Sequence, residues 1–137
     1  AGLCGFTDPD NRRAFPWGRE NKELIAFHKK AIAIHKEHEA LKIGSIYLLY
    51  SEQDVLAYGR CTREEQIVVI INNKEKLTTF TIPVWQIGIP RKANLKRLLY
   101  SYPGGFVADE DEYIVREGEV VLNMGPHSAI ILKRAED

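Results

Sequence analysis

The 137-residue chain is predicted to be mainly β, an eight-stranded antiparallel β-sandwich preceded by a long loop and one α-helix. Three observations predict this. After Ile43-Gly44 the apolar residues recur at every second position or in short solid runs, which is the period of strands. Turn-forming residues break those runs at roughly 8 to 15 position intervals, the spacing of short strands in sandwiches. Ahead of them, Lys22 to about Ala40 carries apolar residues at spacings of three and four, which is the period of a helix.

In chain order, residues 1 to 20 are rich in Gly, Pro, Asp, Asn and Arg, with Phe6, Phe15 and Trp17 among them, and read as a long ordered loop. Asn21 is the expected N-cap, and Leu24, Phe27, His28, Ala31, Ile34 and His35 form one stripe of the helix, which should end near Glu39 or Ala40. The expected strands are 45–50, 55–61, 66–71, 78–84, 96–101, 112–116, 119–124 and 128–134. Ser51 to Asp54 and Asn72 to Lys74 read as hairpin connections, and Glu117-Gly118 as a tight turn. Ile67 to Ile71 is apolar on both faces and belongs at the centre of a sheet, whereas Pro83 should end its strand or mark an edge. Most of the tyrosines and Trp85 alternate within strands and are expected in the packing, with Tyr102-Pro-Gly-Gly-Phe106 as a loop of exposed aromatics.

Composition excludes several functions. Nineteen Lys and Arg balance nineteen Asp and Glu, and no segment gathers a basic stripe, so neither nucleic acid nor an anionic membrane is an expected partner. The longest apolar runs fall far short of the roughly 20 residues that cross a bilayer as a helix. Ala1 to Phe6 lacks the charged start and the length of a secretion signal. Cys4 and Cys61 form neither a disulfide framework nor a metal spacing, and buried free thiols are expected. No cofactor is expected. Of His28, His35 and His38, only the last two stand at a ligand-like offset, with nothing placed to complete a zinc site; solvated helix surface is the expectation. Asp109-Glu110-Asp111-Glu112 lacks the alternating ligands and the glycine of a calcium loop and reads as a solvated turn.

The β region can close a core by itself, but the helix in front of it cannot, because an isolated helix of this length is marginal in water. A loop, a helix and then a complete β domain is what remains when a (β/α)8 barrel is cut after its last strand. The expected boundaries are therefore 1–41, the end of a barrel, and 42–137, a C-terminal β-sandwich.

The segment Ala1-Gly-Leu-Cys-Gly-Phe-Thr-Asp8-Pro-Asp-Asn-Arg12-Arg-Ala-Phe-Pro-Trp17-Gly resembles the stretch after the eighth barrel strand of α-amylase-family glycoside hydrolases, in the branch of neopullulanases, cyclomaltodextrinases, maltogenic amylases and amylopullulanases. There a Gly-rich turn precedes Asp-Pro-x-x-Arg and an aromatic-Pro-Trp element. Phe27 to Lys36 resembles the last barrel helix. His38 to Ser45 resembles the passage into the C-terminal domain, with Glu39 where the family has Pro. Val121 to Ser128 resembles that domain's last hairpin.

The resemblance implies substrate-binding roles for Asp8 and Arg12, with Trp17 as a third candidate. A carboxylate can accept from two adjacent sugar hydroxyls, and a forked guanidinium can both hold that carboxylate and donate to a sugar oxygen. Together they would line a glucose subsite on the non-reducing side of the cleavage point. Taken alone, Asp8 to Arg12 is ordinary turn chemistry with an ion pair. Asp10 and Asn11 fall at variable motif positions and are assigned to turn formation, and Trp17 is expected to pack under the loop. The family's retaining chemistry uses two Asp and a Glu at the ends of upstream barrel strands, so no catalytic residue is expected in this chain, and Asp8 and Asp10 have no defined separation across a glycosidic bond. The expected partners are an α-glucan (starch, pullulan, cyclodextrin or malto-oligosaccharide) in the intact enzyme and the missing barrel domain. Self-association through the helix stripe would follow from its orphaned apolar face. The cytoplasm is the expected compartment, with export the alternative. A second reading is a non-catalytic module that binds glucan or protein, for which the 102–106 loop is the first place to look.

Overall fold

The computed structural model describes residues 1–136. Two helices, α1 (Lys22–Glu37) and α2 (Glu39–Ile43), precede nine strands: β1 (Ser45–Glu52), β2 (Val55–Cys61), β3 (Gln66–Asn72), β4 (Thr78–Ile82), β5 (Ala93–Tyr102), β6 (Gly105–Val107), β7 (Glu112–Arg116), β8 (Glu119–Met124) and β9 (Ser128–Arg134). All pairs are antiparallel, in the order β1-β2-β3-β9-β5-β7-β8-β4, with β6 added to β5. The mainly β architecture is as expected, with a ninth strand where the 102–106 loop turns back on β5.

The sheet closes most of the way to a barrel, and its two halves face each other across one core. Val55 and Ala57 of β2 and Val68 and Ile70 of β3 pack in the same cluster as Phe80 and Ile82 of β4 and Leu122 and Met124 of β8. The Tyr50 and Phe80 rings meet edge to face at 6.0 Å across that gap. Curvature comes from bulges between Leu48 and Tyr50 in β1 and between Arg97 and Leu99 in β5, each of which bends its strand and raises its twist. β3 is central, as its apolar run predicts, and both of its faces are used. Val68 and Ile70 point into the main core, while Ile67 and Val69 point outward against Ala40 of α2.

Helix α1 starts where expected, with the Asn21 side chain accepting from the Leu24 amide at 3.0 Å. It stops sooner than its periodicity suggests. His38 leaves helical geometry at φ −110° and ψ 116°, and α2 restarts one residue later, so the single expected helix is two. The stripe is narrower as well: Ile34 is buried, but His28 and His35 are exposed, and His28 Nδ1 sits 2.8 Å from the Leu24 carbonyl.

Glu117-Gly118 forms the expected tight turn, with both residues at positive φ as a two-residue hairpin requires. Pro83 ends β4 and opens a short 3-10 helix, Val84–Ile87. The 72–74 segment is no hairpin, because β3 and β4 do not pair. Asn72 is fully buried there, donating from Nδ2 to the Gly125 carbonyl at 2.9 Å and accepting from the Lys74 amide at 3.1 Å. It fastens the crossover to the turn before β9. Cys61 is half-buried as a free thiol, whereas Cys4 is exposed in the N-terminal loop, contrary to expectation. The aromatics also depart from expectation: Tyr47 on β1 and Trp85 in the 3-10 helix are exposed, and Tyr50, Tyr58 and Tyr100 are only half-buried.

One glycine decides how helix meets sheet. A Cβ on Gly44 would lie 2.3 Å from the Ala40 carbonyl oxygen and 2.9 Å from that of Cys61, both main-chain atoms with no freedom to swing aside. Gly44→Ala is therefore expected to cost about 1 to 3 kcal/mol, as overpacking does, and to loosen α2 from the sheet. Urea unfolding with an unchanged midpoint would refute this.

Candidate functional site

The N-terminal loop folds through short-range bonds. The Asp10 amide donates to the Thr7 carbonyl at 2.7 Å and the Arg12 amide to the Pro9 carbonyl at 3.0 Å, around a cis Asp8-Pro9 peptide. The Asn21 amide donates to the Ala1 carbonyl at 3.1 Å, so the two ends of the loop meet at the start of α1. This turn brings Asp8 and Arg12, four residues apart, to the same side. Arg12 Nη2 donates to Asp8 Oδ2 at 2.6 Å, and both side chains are exposed. Asp8 Oδ1 and the remaining Arg12 donors have no partner among the described residues.

Asp10 behaves differently. Its Oδ2 accepts from the Phe6 amide at 3.0 Å and its Oδ1 from Arg13 Nη2 at 2.6 Å. Arg13, and then the Phe6 amide, hold its carboxyl below the ordinary range. Both oxygens are committed to the loop, which fits the turn role expected for this position. Trp17 does not pack under the loop: it is 84% exposed and leans on Phe15 with ring centroids 4.6 Å apart.

The most developed polar cluster lies elsewhere and involves His38, which is not on a solvated helix face as expected but sits between the two helices with its side chain largely covered. His38, at the break between α1 and α2, places Nδ1 2.6 Å from Glu65 Oε1, and Glu65 Oε2 accepts from the Ala40 amide at 2.8 Å. Lys133 Nζ of β9 sits 3.3 Å from Glu65 Oε1. The His38 and Glu65 side chains are only 12% and 13% exposed. Burial by itself would raise the Glu65 carboxyl, but the Ala40 amide, His38 and Lys133 outweigh it and hold the group below its ordinary value. Thr62 shapes the turn that presents Glu65, its Oγ1 accepting from the Glu65 amide at 3.0 Å. The Thr62 amide in turn donates to the Glu65 carbonyl at 2.9 Å, closing the β2-β3 turn, and no local spacing in the sequence marks the cluster. The cluster is a latch that locks the helical segment to the β domain.

The acidic run is occupied by cations of the chain itself. Asp109 Oδ1 accepts from Arg97 Nε at 2.7 Å, Asp111 lies 3.5 Å from Arg97 Nη1, and Glu110 faces Lys96 at 3.6 Å.

A near-closed antiparallel sheet with a helical segment latched to its outer face, and an exposed Asp-Arg turn ahead of that segment, defines a mainly β domain with a short helical lead. The chain belongs to the α-amylase C-terminal all-beta domain family, whose model matches residues 49–135. It is 45% identical to an amylopullulanase of Thermoanaerobacterium saccharolyticum over 96% of its own length, but spans only 10% of that protein. It is 42% identical to a cyclomaltodextrinase of Thermoanaerobacter pseudethanolicus over 55% of its length, covering 13% of that relative. The fold matches the crystal structure of an α-amylase from Geobacillus thermoleovorans complexed with acarbose at a TM-score of 0.81 and 24% identity, over 98% of this chain and 28% of that one. The chain thus spans a small part of the relatives it matches. The match to that α-amylase begins well ahead of the family model, so the loop and α1 share its fold as well.

Proposed function

We propose that residues 1–41 close the catalytic barrel of an α-glucan hydrolase and that residues 42–137 form the β-sandwich that supports it. The intact enzyme would hydrolyse α-1,4 or α-1,6 glucosidic bonds, or both, with retention, and Asp8 and Arg12 would line a glucose subsite on the non-reducing side. One observation carries the subsite reading: the 2.6 Å Asp8-Arg12 pair orients the carboxylate while leaving Oδ1 and several guanidinium donors for sugar hydroxyls. The supporting role of the sandwich draws on the latch and on the apolar outer surface beside α2, where Ile46 and Leu48 are 69% and 57% exposed and suit a covered face. The relatives named amylopullulanase and cyclomaltodextrinase favour an α-glucan as substrate. Trp17, held against Phe15, is available to a sugar face.

The family's nucleophile and acid-base carboxylates stand on barrel strands that these residues do not span, and Asp10 is committed to its loop. The 137-residue chain is therefore expected to release no reducing sugar from maltotriose, cyclodextrin or pullulan. In the intact enzyme, Asp8→Ala or Arg12→Ala is expected to lower kcat/KM about ten- to a hundredfold, the loss of a charged hydrogen bond. Unchanged kcat/KM in both variants would overturn the subsite reading.

A further inference from the structure

The first turns of α1 and the β5-β6 hairpin enclose a groove of about 530 Å³ that neither the Asp8-Arg12 turn nor the latch uses. That size lies within the roughly 300 to 1,000 Å³ of small-molecule sites. Its inner side is aromatic: Phe27 and Phe106 meet edge to face at 5.7 Å and tie helix to hairpin. Tyr102 stands at the rim, 41% exposed. Its ring runs along Tyr100, with centroids 5.9 Å apart and planes 28° apart, and lies over Gly104, where an added Cβ would come within 3.1 Å of it. The ring is thus fixed in place while a large part of it remains open to solvent. Glu23 and Ser101 supply polar groups at the edge, and the exposed Glu23 carboxylate has no partner among the described residues.

We propose that this groove is an accessory α-glucan binding site, separate from the Asp8-Arg12 turn. A glucose ring offers an apolar C–H face and a belt of hydroxyls, which match a fixed aromatic face beside a carboxylate that accepts two hydrogen bonds. No Lys or Arg lines the groove, and Glu23 repels anions, so phosphate and acidic ligands do not fit. That the ligand is a sugar rests on the groove; that the sugar is an α-glucan rests on the reading of the parent enzyme given above.

The test is titration of the 137-residue chain, isotopically labelled for NMR, with maltoheptaose and separately with cellohexaose. Maltoheptaose is expected to shift the signals of Glu23, Phe27, Ser101, Tyr102 and Phe106. Tyr102→Ala should weaken binding about tenfold, the worth of one aromatic contact, whereas Tyr102→Phe should leave it within about twofold of the parent. Spectral dispersion in each variant reports whether the fold is intact. Absence of shifts at these residues, equal binding by Tyr102→Ala, or equal binding of cellohexaose overturns the proposal. None of these results depends on turnover, so the Asp8 and Arg12 kinetics in the intact enzyme stand or fall separately.

Discussion

Replacing Phe80 with alanine is expected to destabilise the fold by about 3 to 5 kcal/mol, the usual cost of emptying a large aromatic site in a core. Phe80 is among the largest fully buried side chains, 2% exposed, and lies on β4 at the end of the sheet path. β4 pairs with β8 alone, through Thr78 to Ile82 against Met124 to Val120. Apart from the short β7-β8 ladder, what holds that pair over β2 and β3 is side-chain packing, and Phe80, in contact with Tyr50 on the opposite half, belongs to it. The loss should appear as a lower urea midpoint for the whole β domain. A loss below about 1 kcal/mol would mean that the core refills the site, contrary to the dense packing of protein interiors.

Phe80 also illustrates what could be read before folding. Thr78-Thr-Phe-Thr-Ile82 alternates polar and apolar residues, so the strand and its inward face follow from a period of two. The Ile67 to Ile71 run and the Glu117-Gly118 turn were legible for the same reason: each is a local pattern with a local cause. Asn72 was misread because its partners, Met124 and Gly125, are more than fifty residues away, and a lone Asn before Asn73-Lys74 has the composition of a turn. β6 was missed because three residues, Gly105 to Val107, carry no periodicity, and only their pairing with β5 makes them a strand. Bulges at Leu48 to Tyr50 and Arg97 to Leu99 shift which residues face inward, so simple alternation does not hold along β1 and β5.

The candidate site divides in the same way. Asp8 with Arg12, and Asp10 with Arg13, pair within one turn, so both contacts join residues no more than four apart and were open to local inspection. The latch joins His38, Glu65 and Lys133 from three separate parts of the chain, and the spacing of His38 from His35 raises only a metal site that nothing completes. Glu39, where the resemblance has a proline, marks a break that helical periodicity alone runs through. Glu39 opens α2 right after the break, the position at which proline is also well accommodated.

Glu65→Ala is expected to cost about 3 kcal/mol, at the lower end for breaking a buried charged pair because Glu65 retains some solvent. The change removes the acceptor of the Ala40 amide as well as the partner of His38 and Lys133, leaving a helix-start amide and a nearly buried imidazole unsatisfied. Because Ala40 and Leu41 pack on Ile67, Val69 and Ile131, the damage should concentrate where the helices meet the sheet. Amide exchange should therefore rise first in α2 and the end of α1, with β4 and β8 still protected. The pH dependence has a definite sign. The folded-state carboxyl lies below its ordinary value of 4.5, so the unfolded chain takes up the proton first. Its contribution is complete above about pH 4.5 and is lost as the pH falls through the lower folded value. The parent chain should lose more stability than Glu65→Gln on acidification through that window, and the two should run parallel above it. Parallel curves throughout, or faster exchange in β4 than in α2, would show that Glu65 does not hold the helices to the sheet.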